Sequence, residues 1–119
     1  MQILTYKKNE GLLSIEVTIS GTPTWYYYYV EDQFHENALY SNKPKKHTLG
    51  EPHELIKLSH NWLVRLANPS DDDISCSVKI EWFQLDNGSK KSILIWTRTL
   101  DVPANSGSEA GDSLLRNPV

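Results

Sequence analysis

Leu13-Ser14-Ile15-Glu16-Val17-Thr18-Ile19-Ser20 puts an apolar residue at every odd number and a polar one at every even number. Side chains leave a strand on alternate faces, so this period of two specifies a strand with one buried and one wetted face. Ile74, Cys76, Val78, Ile80 and Trp82 repeat the pattern against Ser75, Ser77, Lys79 and Glu81. Trp62, Val64 and Leu66 extend it, as do Leu94, Trp96, Arg98 and Leu100, with faces less cleanly divided. Two is the dominant period of the chain, and the chain reads as all-β.

Turn residues fall between these runs. Ser20-Gly21-Thr22-Pro23, Asn68-Pro69-Ser70-Asp71-Asp72-Asp73 and Asp86-Asn87-Gly88-Ser89 each separate two predicted strands. Asn-Gly tolerates the positive φ values of a two-residue hairpin. Three hairpin-like connections imply antiparallel pairing, with residues 61 to 100 as one meander. Short strands with turns every ten or so residues point to an antiparallel β-sandwich of six to eight strands, immunoglobulin-like in general architecture. The cysteine pair of immunoglobulin domains is absent, so the comparison rests on pattern. Trp62, Trp82 and one face of the strand at Trp25 are expected at the centre of the core.

That last strand is Trp25-Tyr26-Tyr27-Tyr28-Tyr29-Val30, in which both alternating sets are bulky. Trp25, Tyr27 and Tyr29 can serve the core, which leaves Tyr26, Tyr28 and Val30 needing a second cover. The candidate contact residues are therefore Tyr26 and Tyr28, with Tyr40 and Trp96 as neighbours. Aromatic side chains bury large areas and concentrate at interface cores, so a protein partner or a second copy fits them first and a glycan second.

The 119 residues, 39% hydrophobic and 23% charged, suit a single globular domain. Residues 1–102 are expected to form it. Pro103 to Val119 is too poor in apolar residues to offset the cost of ordering, and is expected to be a disordered tail. Glu31 to Glu54 shows no sustained period and reads as a long loop with one helical turn or short strand around Phe34 to Tyr40, and a strand entry near Leu49.

A net charge of −3 gives no electrostatic case for nucleic acid or an anionic membrane. Lys43, Lys45, Lys46 and His47 are the one basic cluster, and Glu31, Asp32, Glu36, Glu51 and Glu54 nearly neutralise it. The N-terminus lacks the apolar core of a secretory signal and no window reaches the length of a membrane span, so a cytoplasmic protein is expected. Asn87-Gly88-Ser89 matches a glycosylation acceptor but reads as turn chemistry. Cys76, the one cysteine, sits inside an apolar alternation and reads as a small core residue.

Catalytic and cofactor motifs are missing. His35, His47, His53 and His60 lack the spacing of a zinc site and read as solvated loop histidines, which leaves an enzyme centred on the 31–54 loop as the weakest hypothesis. Asp71, Asp72 and Asp73 are not followed by the glycine and glutamate of a calcium loop, and read as a solvated turn. Glu16, Glu81 and Asp101 are the carboxylates that a glycoside-hydrolysing pair would draw on, with nothing setting their separation. No metal, phosphate or nucleotide motif occurs, and no cofactor is expected. The sequence thus points to a non-catalytic binding or assembly module that engages protein through its aromatic strand or a sheet edge, with a small carbohydrate-binding module as the alternative.

Overall fold

The computed structural model describes residues 2–21, 25–30, 33–39, 45–50 and 59–119, with backbone alone for 25–30, 33–39, 45, 47, 50 and 59. Among the described residues there are nine strands and no helix: β1 (Gln2–Tyr6), β2 (Leu13–Gly21), β3 (Trp25–Val30), β4 (Gln33–Leu39), β5 (Lys45–Gly50), β6 (Ser59–Asn68), β7 (Ile74–Asp86), β8 (Ser89–Val102) and β9 (Ser106–Pro118). They form two sheets, one ordered β1-β9-β6-β3-β4 and the other β5-β2-β7-β8. Neighbouring strands are antiparallel except β1 and β9, which run parallel.

The alternations at 13–20 and 74–82 become the inner face of the four-stranded sheet. Leu13, Ile15, Val17 and Ile19 of β2 and Ile74, Cys76, Val78, Ile80 and Trp82 of β7 join Leu100 and Val102 of β8 in one buried cluster. Trp62, Val64 and Leu66 of β6, Ala110 and Leu114 of β9, and Leu4 and Tyr6 of β1 complete that cluster from the five-stranded sheet. A sheet with one apolar face has to cover it, and here each sheet covers the other in a sandwich-like arrangement.

One polar contact ties the two sheets inside this core. The Trp82 indole N–H donates to His60 Nε2 at 2.9 Å, and the rings meet edge to face at 5.9 Å between centroids. Trp62 lies edge-on to both Trp82 and Trp96, at 6.3 and 4.6 Å. His60 is fully buried, so its reading as a solvated loop residue is corrected. An accepting Nε2 requires the neutral ring with its proton on Nδ1, and burial lowers the pKa to about 4.

Three further expectations change. Residues 61 to 100 are not one meander, because β6 and β7 belong to different sheets. Only the β7–β8 connection is the expected hairpin, with Asn87 at φ 51° and Gly88 at φ 82°. The connection after Asn68 is an arch between sheets. The buried Asn68 amide donates to the carbonyls of Asp72, Val102 and Pro103, and its oxygen accepts from the Ser70 N–H and hydroxyl. Asp71 and Asp73 belong to the same tie, accepting from the Asn105 side-chain amide and the Ala104 N–H. Turn-forming residues serve a hairpin and an arch equally well, so composition could not separate them.

The 31–54 segment is not one long loop: β4 lies where a helical turn or short strand is expected, around Phe34 to Tyr40, and β5 covers the strand entry expected near Leu49. Most consequentially, residues 103–119 are not a disordered tail: Ser106–Pro118 is β9, inserted between β1 and β6. Ten residues of β9 pair with β6 and five with β1. Backbone hydrogen bonds on both sides order a segment whose side chains alone gave little reason to order. Its glycines suit that position, since a Cβ at Gly111 would stand 2.7 Å from the Trp62 carbonyl oxygen.

The chain reversal between β1 and β2 is held by Gln84, which is 1% exposed. Its Oε1 accepts from the Lys7 N–H, and its Nε2 donates to the carbonyls of Lys7 and Gly11. Gly11 passes so close to the Leu85 carbonyl oxygen that a Cβ would overlap it. Gly11→Ala should therefore cost about 1–3 kcal/mol of stability in urea unfolding through overpacking. An unchanged midpoint would show that this turn does not pack against β7.

His60 predicts a pH dependence. Its unfolded imidazole takes a proton near 6.5, while the folded one resists until about 4. The unfolded state therefore binds the extra proton first as pH falls. Stability is complete above 6.5 and declines by about 3 kcal/mol in total as pH drops through that window. Denaturant titrations from pH 7 to 4 should show this slope, and His60→Gln should flatten it. The same slope in the variant would assign it elsewhere.

Candidate functional site

Register decides what each face of β3 meets. Tyr26, Tyr28 and Val30 stand opposite Leu66, Val64 and Trp62 of β6, all buried in the core. Directly opposed residues of an antiparallel pair share a face, so these three positions lie on the inner face. Trp25, Tyr27 and Tyr29 stand opposite Ala67, Arg65 and Leu63, on the outer face. This reverses the assignment expected from sequence, where the odd set served the core. Both sets are aromatic, so alternation alone carried no preference.

Trp96 is half-buried on β8, packed edge-on against Trp62 with the Arg98 guanidinium 5.3 Å from its ring centre. It belongs to the opposite sheet from β3 and is not brought to the outer face of the five-stranded one. Tyr40 lies outside the described residues, as do Lys43 and His53. His35 falls in β4, and Lys45 and His47 in β5.

The outer face of the five-stranded sheet is unusual in its residue types. β4 adds Leu39, Asn37 and Phe34 opposite Trp25, Tyr27 and Tyr29. At the far edge Ile3 of β1 and Leu115 of β9 lie side by side, 56% and 46% exposed. Between these margins an open groove of about 1040 Å³ runs along β6 and β9. Three successive cross-strand pairs line it: Asn61 with Ser113, Leu63 with Gly111, and Arg65 with Glu109. Trp62, Ala110 and Asp112, from the inner side of the same strands, and Arg98 of β8 complete the lining, so the groove reaches round the open edge of β9 as well as over the outer face. β1 pairs with β9 only at Leu114–Pro118, so the groove lies where β9 has β6 on one side and no described strand on the other.

At the middle of the groove Arg65 Nε donates to Glu109 Oε2 at 3.0 Å, with side chains 54% and 59% exposed. Such a pair in water adds little to stability. Gly111 on β9 leaves room in the groove at a position where a strand ordinarily carries a branched or aromatic side chain.

The outer face of the other sheet is mostly polar, with Ile95 of β8 51% exposed on it. Thr18, Ser20, Ser77, Lys79, Thr97 and Thr99 cover much of it. Alternation after Glu81 puts Phe83 on this side as well, where it is 2% exposed under the ammonium groups of Lys46 and Lys90, 5.5 and 4.7 Å from its ring centre. Glu16 and Glu81 stand opposite each other and share Lys90, at 3.5 and 2.7 Å. Burial pushes the Glu81 carboxyl up, but hydrogen bonds from Lys90 and Ser92 and the charges of Lys90 and Lys79 outweigh it and leave its pKa lowered. The Lys90 pKa is raised, chiefly by its hydrogen bond to Glu81. This is an ammonium saturated by two carboxylates, an arrangement that closes a surface. The third carboxylate, Asp101, accepts from the Ser75 hydroxyl at 2.8 Å.

Burial raises the pKa of the Cys76 thiol, as suits a core residue. Among the described residues no group of three His, Cys, Asp or Glu side chains could hold a metal ion. Among them, too, no helix is long and apolar enough to cross a membrane.

The groove pair offers a test of what this face does. Arg65→Ala should change unfolding free energy by less than about 1 kcal/mol, because both partners are hydrated. A larger loss in denaturant titration would make the pair part of the folding core. Searches of protein-family models, curated proteins and solved structures give no match to this chain.

Proposed function

We propose that this chain is a non-catalytic binding module that engages a protein partner through the outer face of its five-stranded sheet. The observation that carries the reading is the β3–β6 register, which sets Trp25, Tyr27 and Tyr29 on the outward side beside the β6–β9 groove. A sandwich needs that side wetted, and the other sheet meets the need with serine, threonine and lysine. Aromatic residues and arginine are the types that concentrate in interface cores. The immunoglobulin-like description belongs to this proposal, supported by the two packed, mostly antiparallel sheets and the arch between them after Asn68. A cytoplasmic setting belongs to it as well, supported by a core that holds its single cysteine without a disulfide.

The groove's polar lining favours glycan as the second reading. Asn61, Arg65, Glu109 and Ser113 offer donors and acceptors on strands next to the aromatic positions of β3, the residue types by which a sugar is held. Nucleic acid has less support, since Lys46 and Lys90 are engaged with Phe83 and the carboxylates.

A photo-reactive benzophenone side chain at position 63 on the outer face of β6, against one at position 97 on the outer face of β8, tests the proposal in cell extract. Protein adducts should form at 63 and not at 97. Equal labelling at both positions, or none at 63, would overturn it. Oligosaccharide titration followed by tryptophan fluorescence tests the second reading, and a spectral change lost in Arg65→Ala would favour it.

A further inference from the structure

We infer that the protein engaged by this face is a second copy of the same chain, packed sheet against sheet about a two-fold axis. The inference rests on the reading of this face as a contact surface. Three features of the face make it complementary to itself, and each follows from register.

The first is charge. Arg65 and Glu109 stand opposite each other on adjacent strands with more than half of each side chain exposed. A two-fold axis running along the strands between β6 and β9 sets Arg65 over the partner's Glu109 and Glu109 over the partner's Arg65. Each charge then meets its opposite twice, as the reciprocal contacts of an isologous interface require. A face carrying one sign alone would repel its copy.

The second is relief. One side of that axis has bulky residue types at successive outer positions of β3, Trp25, Tyr27 and Tyr29, and the other has the small residues of β9, Gly107 and Gly111. The same axis brings β3 of each copy over the open flank of the other copy's β9, where β1 has ended. Bulky residue types of each copy thus come over positions where the other has no described strand.

The third is size. Level with the groove four strands, β9, β6, β3 and β4, spaced about 4.8 Å apart and about seven residues long, present roughly 450 Å² in projection before side-chain relief is added. That is the same order as the ~800 Å² per partner of a standard stable interface.

The test uses the full chain. Light scattering from micromolar to millimolar concentration should give twice the 13.6 kDa of one chain. Arg65→Glu and Glu109→Arg should each leave a folded monomer by circular dichroism, with association weakened about tenfold or more by like-charge contact. Mixing the two single variants should restore a dimer, because every cross-copy contact then joins opposite charges. Thr97→Arg, on the other sheet, should leave the mass unchanged.

Wild-type monomer across the whole range would overturn the inference without reference to any variant. So would variants that stay dimeric, or a mixture that stays monomeric. Benzophenone adducts at position 63 to other proteins, together with a monomeric wild type, would sink the self-pairing and leave the contact surface standing. A monomer with no adducts would sink both.

Discussion

Covering two apolar faces with each other is the constraint on which this structure depends. β7 supplies the longest buried row, Ile74 to Trp82, and the facing row on β6 runs His60, Trp62, Val64 and Leu66. Where the two rows carry a polar atom, they settle it internally: the Trp82 N–H would be costly to bury alone, and His60 Nε2 accepts it. The Trp62, Trp82 and Trp96 rings pack edge to face around that bond. Because the bond needs a neutral imidazole, the core and the proton are linked, and acid weakens the sandwich at its centre.

The arrangement of the other strands follows from that core. β9 fills the place between β1 and β6 through its backbone, contributing Ala110 and Leu114 inward and leaving glycine and serine outward. A strand built this way makes a thin wall with a groove over it. β3 lies on the other side of β6 with bulky residue types at every position, so its inner positions stand opposite Leu66, Val64 and Trp62 and its outer positions opposite Ala67, Arg65 and Leu63. The two outer faces therefore differ in kind. One is mostly a hydroxyl and lysine surface on which Glu16 and Glu81 share Lys90 and Ile95 is exposed, and the other has aromatic residue types at the outer positions of β3, a hollow and an exposed ion pair.

The division between legible and illegible elements has a physical cause. β2, β6, β7 and β8 could be read because a half-buried strand must alternate, and the Asn87-Gly88 turn because positive φ favours those two residues. β9 could not, because its order comes from hydrogen bonds to β6 and to β1, the latter at the other end of the chain, which no local composition reveals. The face of β3 was illegible for the opposite reason. Its sequence was apolar on both sides, and only pairing with Val64 and Leu66 could choose between them. His60 looked like a loop residue because its partner, Trp82, arrives from the other sheet.

The sequence by itself determined that the chain is all-β, which rows of side chains face inward in its clearest strands, and that one strand is aromatic on both faces. Each of these is a property of neighbours along the chain, set by the strand's period of two. The tertiary structure decided which connections arch between sheets, that the C-terminal segment is a paired strand, and which aromatic positions turn outward beside the groove. Those depend on which distant backbone edges meet, and register between strands is settled only when the two sheets close on one core.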